Sequence, residues 1–168
     1  GKTGRRHEAA RMTQTWRILL ADDHALVRAG IRSLLENLPG VVVVGETGDG
    51  LEAVELVRRD PPDAVLLDIT LPGLNGLDAA ARITSLDVPT RILMLSMHAS
   101  AEYAARALAA GASGYLNKDS AFDELATALD EIFAGRRYLC RGLDPPGALR
   151  DEREQPEHAV SLALCRLQ

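Results

Sequence analysis

The chain has 168 residues, 46% of them hydrophobic and 26% charged, with a net charge of −5. That length is enough for one domain with a core, and the acidic balance gives no electrostatic reason to expect nucleic-acid binding, which needs clustered Lys and Arg. The one basic cluster is Lys2, Arg5, Arg6 and Arg11, near the N-terminus.

Residues 1–15 read as an N-terminal extension, disordered or foreign to the natural chain, with Met12 as the natural start. The stretch "GKTGRRHEAAR" lacks the apolar core of a signal peptide, and no apolar run has the ~20 residues of a membrane-spanning helix. Cys140 and Cys165 have no metal-ligand spacing and read as free thiols of a reducing compartment, so a cytoplasmic location is expected.

From Trp16 to Gly135 short aliphatic runs alternate with helical patterns, the signature of repeated βα units around a parallel sheet. The expected strands are "WRILLA" (Trp16 to Ala21), "VVVVGET" (Val41 to Thr47), "AVLLD" (Ala64 to Asp68), "RILMLS" (Arg91 to Ser96) and "GYLN" (Gly114 to Asn117). Most are continuously apolar, as strands buried on both faces must be. The expected helices run from Ala25 to Glu36, Gly50 to Arg59, Gly76 to Ser85, Ala101 to Ala110 and Ala121 to Ala134. "LPG" at Leu38 to Gly40, "DPPD" at Asp60 to Asp63 and "VP" at Val88 to Pro89 stand where a helix must stop before the next strand. Right-handed crossovers then put helices on both faces, giving an α/β doubly wound (βα)5 three-layer sandwich. Beyond Gly135 the alternation fails among prolines and charges. Residues 136–168 read as a linker or C-terminal tail without a complete output domain, with "HAVSLALCRLQ" as its one helix-capable stretch.

In such a sheet ligands bind beyond the carboxyl ends of the strands. The first strand ends in Asp22 and Asp23, the third in Asp68, the fourth in Ser96, and Lys118 follows the fifth. Singly, each has an ordinary explanation: Asp caps helices and forms turns, and Lys is a solvated charge. Jointly, three carboxylates, a hydroxyl and an ammonium at four of five strand ends point to a site. Packed carboxylates repel one another unless a cation compensates, and Mg²⁺ is the hard ion held by one or two carboxylates together with phosphate oxygens. The arrangement suits phosphoryl chemistry.

The segments "ILLADDHALVRAGIRSLLE", "VLLDITLPGLNGLDA", "ILMLSMH" and "GASGYLNKDS" together resemble the receiver domain of two-component response regulators, of the NarL/FixJ (LuxR-type) subfamily, over residues 16–135. The resemblance implies the flavodoxin-like sheet order 2-1-3-4-5. It implies that Asp68 is the phosphoacceptor for a sensor histidine kinase, with Lys118 and Ser96 contacting the phosphoryl group. Mg²⁺ would be held by Asp22, Asp23, Asp68 and the backbone carbonyl of Thr70. Ser96 and Tyr115 would be switch residues: Ser96 moves toward the phosphoryl group and Tyr115 rotates inward. The face of the fourth helix, fifth strand and fifth helix is remodelled as a result and offers a homodimer contact. For Tyr115 a purely packed role is nearly as well supported by the sequence. His24 is assigned no catalytic role and simply opens the first helix, and His98 borders the site.

Asp119 follows Lys118 where many receivers have Pro. The helix-turn-helix that usually follows in this subfamily does not fit the short, Pro-broken tail, so DNA binding is expected of a longer regulator rather than of these residues. The chain is therefore expected to be a signalling switch rather than an enzyme. A phosphatase of the haloacid-dehalogenase class would need an Asp-x-Asp on the first strand, and neither a dinucleotide fingerprint nor a P-loop lysine motif is present. The alternative is an atypical receiver, never phosphorylated, that acts as an interaction or dimerisation module.

Overall fold

The computed structural model describes residues 15–97 and 100–140; His98, Cys165, the basic N-terminal cluster and the C-terminal helix-capable stretch lie outside the described residues. The elements follow in order: β1 (Trp16–Ala21), α1 (Ala25–Glu36), β2 (Val41–Thr47), α2 (Gly50–Arg59), β3 (Ala64–Asp68), α3 (Gly76–Ser85), β4 (Arg91–Ser96), α4 (Ala101–Ala109), β5 (Gly114–Asn117), a 3-10 turn (Lys118–Ser120), α5 (Ala121–Phe133) and β6 (Tyr138–Leu139). The expected strands and helices are all present, the last two helices ending one residue earlier than their patterns suggest.

All strand pairs are parallel, and the sheet order is β2-β1-β3-β4-β5-β6. The expected 2-1-3-4-5 order is thus extended by a sixth strand, in a stretch whose sequence reads as linker. β6 has only two residues, too few for a periodic signal, and exists through edge pairing: Tyr138 N–H donates to Ser113 O at 3.0 Å and Cys140 N–H to Tyr115 O at 2.8 Å. Cys140 is accordingly buried.

β3 is buried along its whole length between its neighbours β1 and β4. This explains its unbroken apolar run, because a central parallel strand has helices over both faces. α1 and α5 pack together on one face, and α2, α3 and α4 form a row on the other. Leu66 and Leu67 are fully buried, each contributing about 1.5–3 kcal/mol from burial. Trp16 stacks on Phe133 with ring centroids 3.9 Å apart, tying the start of β1 to the end of α5.

Polar side chains fix where the helices begin. Asp49 accepts from Leu51 N and Glu52 N at 2.7 and 3.1 Å, Asn75 from Asp78 N at 2.9 Å and Ser100 from Tyr103 N at 3.3 Å, each satisfying N–H groups that the first helical turn leaves open. No helix among the described residues is long and apolar enough to cross a membrane.

Candidate functional site at the carboxyl ends of the strands

The carboxyl ends of β1 and β3 and the turn after β5 meet in one pocket. Asp22 leaves β1 with its backbone N–H bonded to Thr47 O at 2.9 Å, which holds its side chain at the sheet end, completely buried. Asp68, at the end of β3, is 1% exposed, and Lys118, just past β5, is 3% exposed. Lys118 Nζ donates to Asp68 Oδ2 at 2.8 Å and lies 2.8 Å from Asp22 Oδ2. The second approach is off the line that a hydrogen bond needs, so the buried Asp22 Oδ2 accepts none. Thr70 supports the other side of Asp68, its N–H and hydroxyl reaching Oδ1 at 3.1 and 3.3 Å.

The loop between β3 and α3 folds back onto this floor. Gly76 N–H donates to Ile69 O at 2.7 Å and Gly50 N–H to Pro72 O at 3.0 Å, so the loop is pinned to the start of α2. Gly73 takes a left-handed φ of 79° with the Asp49 carboxylate against it, a place where a side chain would collide. The breakers after Asp68 therefore build a short, rigid wall.

Burial pushes the Asp68 carboxyl above its ordinary value, and the Asp22 charge adds slightly to that, against the opposing hydrogen bonds from Lys118 and Thr70 N–H. One ammonium cannot neutralise Asp22, Asp23 and Asp68 together. A buried oxygen that meets the ammonium without a hydrogen bond, among hard carboxylate donors, has room for a divalent cation, so the residues fit the Mg²⁺ of a receiver.

The neighbouring strand ends add Ser96 and Tyr115, the residues expected to switch. Ser96, buried at the end of β4, hydrogen-bonds with the Tyr115 side chain, whose hydroxyl also accepts from Ser100 N–H at 3.4 Å. Tyr115 is fully buried, so its ring packs in the core while its hydroxyl meets Ser96. Burial raises its phenol above the usual value.

One member was missed. His24 does open α1, but its ring does not cap the helix; Nδ1 lies 3.0 Å from Lys118 Nζ and within 3.5 Å of oxygens from Asp22, Asp23 and Asp68. Nothing in the sequence gives the ring's direction, because either rotamer is compatible with a helix start. The poor capping ability of His was the available hint.

Residues 18–130 match the family described as response regulator receiver domain. UvrY of Escherichia coli K12 is 40% identical over 132 residues, covering 79% of this chain and 61% of UvrY, so the chain spans less than two thirds of that relative's length. Among solved structures, a LuxR-family two-component response regulator from Aurantimonas sp. SI85-9A1 is 46% identical with a TM-score of 0.71, covering 74% of this chain and 89% of that one. The signal receiver domain of a NarL response regulator from Mycobacterium tuberculosis is 39% identical with a TM-score of 0.70, covering 73% and 99%. With its acidic pocket of Asp22, Asp23 and Asp68 beside Lys118, the chain belongs to the response regulator receiver domains, in the branch of UvrY, NarL and the LuxR-type regulators.

Proposed function

We propose that this chain accepts a phosphoryl group on Asp68 from a sensor histidine kinase, and that the aspartyl phosphate changes the face formed by α4, β5 and α5. The observation that carries the reading is Lys118 Nζ at 2.8 Å from both Asp68 Oδ2 and Asp22 Oδ2, in a buried pocket at the strand ends. An ammonium so held balances the resting carboxylates and is in reach of a phosphoryl oxygen on Asp68.

A carboxylate oxygen of Asp68 attacks phosphorus, the P–N bond of the kinase's phosphohistidine breaks, and the imidazole leaves with the bonding electrons and takes up a proton. Thr70 N–H and hydroxyl hold Oδ1 so that Oδ2 is the oxygen presented to the donor. Asp22, Asp23, the Asp68 carboxylate and the Thr70 carbonyl would hold Mg²⁺, which supplies charge neutralisation at the phosphoryl oxygens. Catalysis is then mainly positioning and electrostatics. Ser96 donates to a phosphoryl oxygen, which draws on the hydroxyl that meets Tyr115 and so conveys the event to β5.

In a longer regulator the remodelled face controls transcription through an output domain, with a homodimer across α4, β5 and α5, in the cytoplasm. The test is incubation with Mg²⁺ and acetyl phosphate followed by intact mass measurement. Wild type gains one phosphoryl group and Asp68→Asn gains none. No gain in wild type, or equal gain in both, overturns the assignment in favour of a non-phosphorylated interaction module.

A further inference from the structure

The cluster at the strand ends contains one group that the Mg²⁺ reading leaves unused, the imidazole of His24. The His24 backbone N–H donates to Asp22 Oδ1 at 2.8 Å, and with the backbone anchored there the ring turns inward over the carboxylates. Nδ1 lies 3.0 Å from Lys118 Nζ, 3.2 Å from Asp22 Oδ1, 3.4 Å from Asp23 Oδ1 and 3.5 Å from Asp68 Oδ2. Taking one ligand atom from each, Asp22, Asp23, His24 and Asp68 fall within 4.8 Å of one another. Nδ1 can donate to Asp22 Oδ1 when it carries the ring proton, or accept from the Lys118 ammonium when the proton is on Nε2; a cation in the cluster favours the second tautomer, which frees the Nδ1 lone pair. In that tautomer the lone pair faces the place where the carboxylates converge, among them Asp22 Oδ2, which the Lys118 ammonium approaches at 2.8 Å.

We propose that His24 Nδ1 is a ligand of the divalent-cation site and tilts its selectivity from Mg²⁺ toward the nitrogen-accepting later ions of the first transition series, Ni²⁺ among them, with Mn²⁺ serving only as a spectroscopic probe of the bound nitrogen. The inference rests on the cation site proposed above and adds a donor to it. Carboxylates and carbonyls alone suit Mg²⁺, whereas an imidazole does little for that ion and strengthens binding along the Irving–Williams order. Lys118 can release Nδ1 without losing its place, because Asp68 and Asp22 remain 2.8 Å away. The ring is 49% exposed, so it can shift between ligating and non-ligating positions without opening the core. A transition-series ion therefore draws His24 in, and Mg²⁺ leaves it aside.

The test compares wild type with His24→Ala, a change that removes no side-chain cap from α1. Mg²⁺ and Ni²⁺ dissociation constants are measured by calorimetry, counting only Ni²⁺ that excess Mg²⁺ displaces. The Mn²⁺-loaded proteins are examined by electron spin-echo spectroscopy for a directly bound imidazole nitrogen. In the variant, Ni²⁺ affinity is expected to fall about tenfold or more and Mg²⁺ affinity to change by less than about threefold, with the nitrogen signal present only in wild type. Equal changes for the two ions, or no imidazole nitrogen in wild type, overturn the role of His24. If Asp22→Asn leaves binding of every ion unchanged, the cation site itself is overturned and the inference falls with it.

Discussion

Tyr115 joins the packed core to the polar end of the sheet. Its hydroxyl is buried among Ser96 and Ser100, and burial raises its ionisation above the usual phenol value, only partly opposed by those hydrogen bonds. A raised folded-state value means that this group favours the fold below its unfolded value, about pH 10, and that the contribution is lost as pH rises through the folded value. A spectroscopic titration at alkaline pH should therefore show a late-ionising component, together with loss of structure, and Tyr115→Phe should diminish that component. Early, independent ionisation of every tyrosine in wild type would contradict the buried placement. The acids and Lys118 were legible in the sequence because strand ends are marked by where apolar runs stop. Whether Tyr115 points inward, or the His24 ring turns toward the acids, depends on side-chain torsions that no local pattern encodes.

Among the elements, the join of β3 to α3 carries a tight constraint. A Cβ on Gly76 would stand 2.0 Å from Asp68 O, so the helix can start there only because the position is glycine. Gly76→Ala should cost about 3 kcal/mol or more in urea unfolding, the upper end for forced overpacking, and should also weaken Mg²⁺ binding by displacing the Asp68 backbone. Gly135→Ala is the control: its φ of 85° is strained for alanine, yet nothing lies within 4 Å of the added carbon. It should cost about 1–2 kcal/mol and leave Mg²⁺ binding unchanged. Equal effects of both substitutions would show that the contact at Gly76 is relieved by a shift elsewhere. Strands and helices were readable at this scale since central strands such as Ala64–Asp68 must be continuously apolar and helices carry their own stops. The packing of Gly76 onto a strand carbonyl was not, because it joins residues through a loop whose path the sequence leaves open.

For the molecule as a whole, metal binding and the edge of the sheet set the stability. A cation that binds only the folded state should add about 2.7 kcal/mol at a concentration a hundred times its dissociation constant, read as a rise of several degrees in Tm, and Asp22→Asn should remove most of it. At the far edge, Tyr138 OH donates to the buried carboxylate of Glu124 at 2.6 Å. Tyr138→Phe should cost about 1–3 kcal/mol in chemical unfolding, and a change within error would mean that other contacts of Glu124 make up the loss. That edge was invisible in the sequence, since a two-residue strand has no period and is defined by what it lies beside. Its position has a mechanical meaning. The Cys140 N–H donates to the carbonyl of Tyr115, the residue whose hydroxyl meets Ser96, so β6 is tied to the backbone of that tyrosine. A displacement of β5 at Tyr115 would therefore be passed directly to β6 through that hydrogen bond.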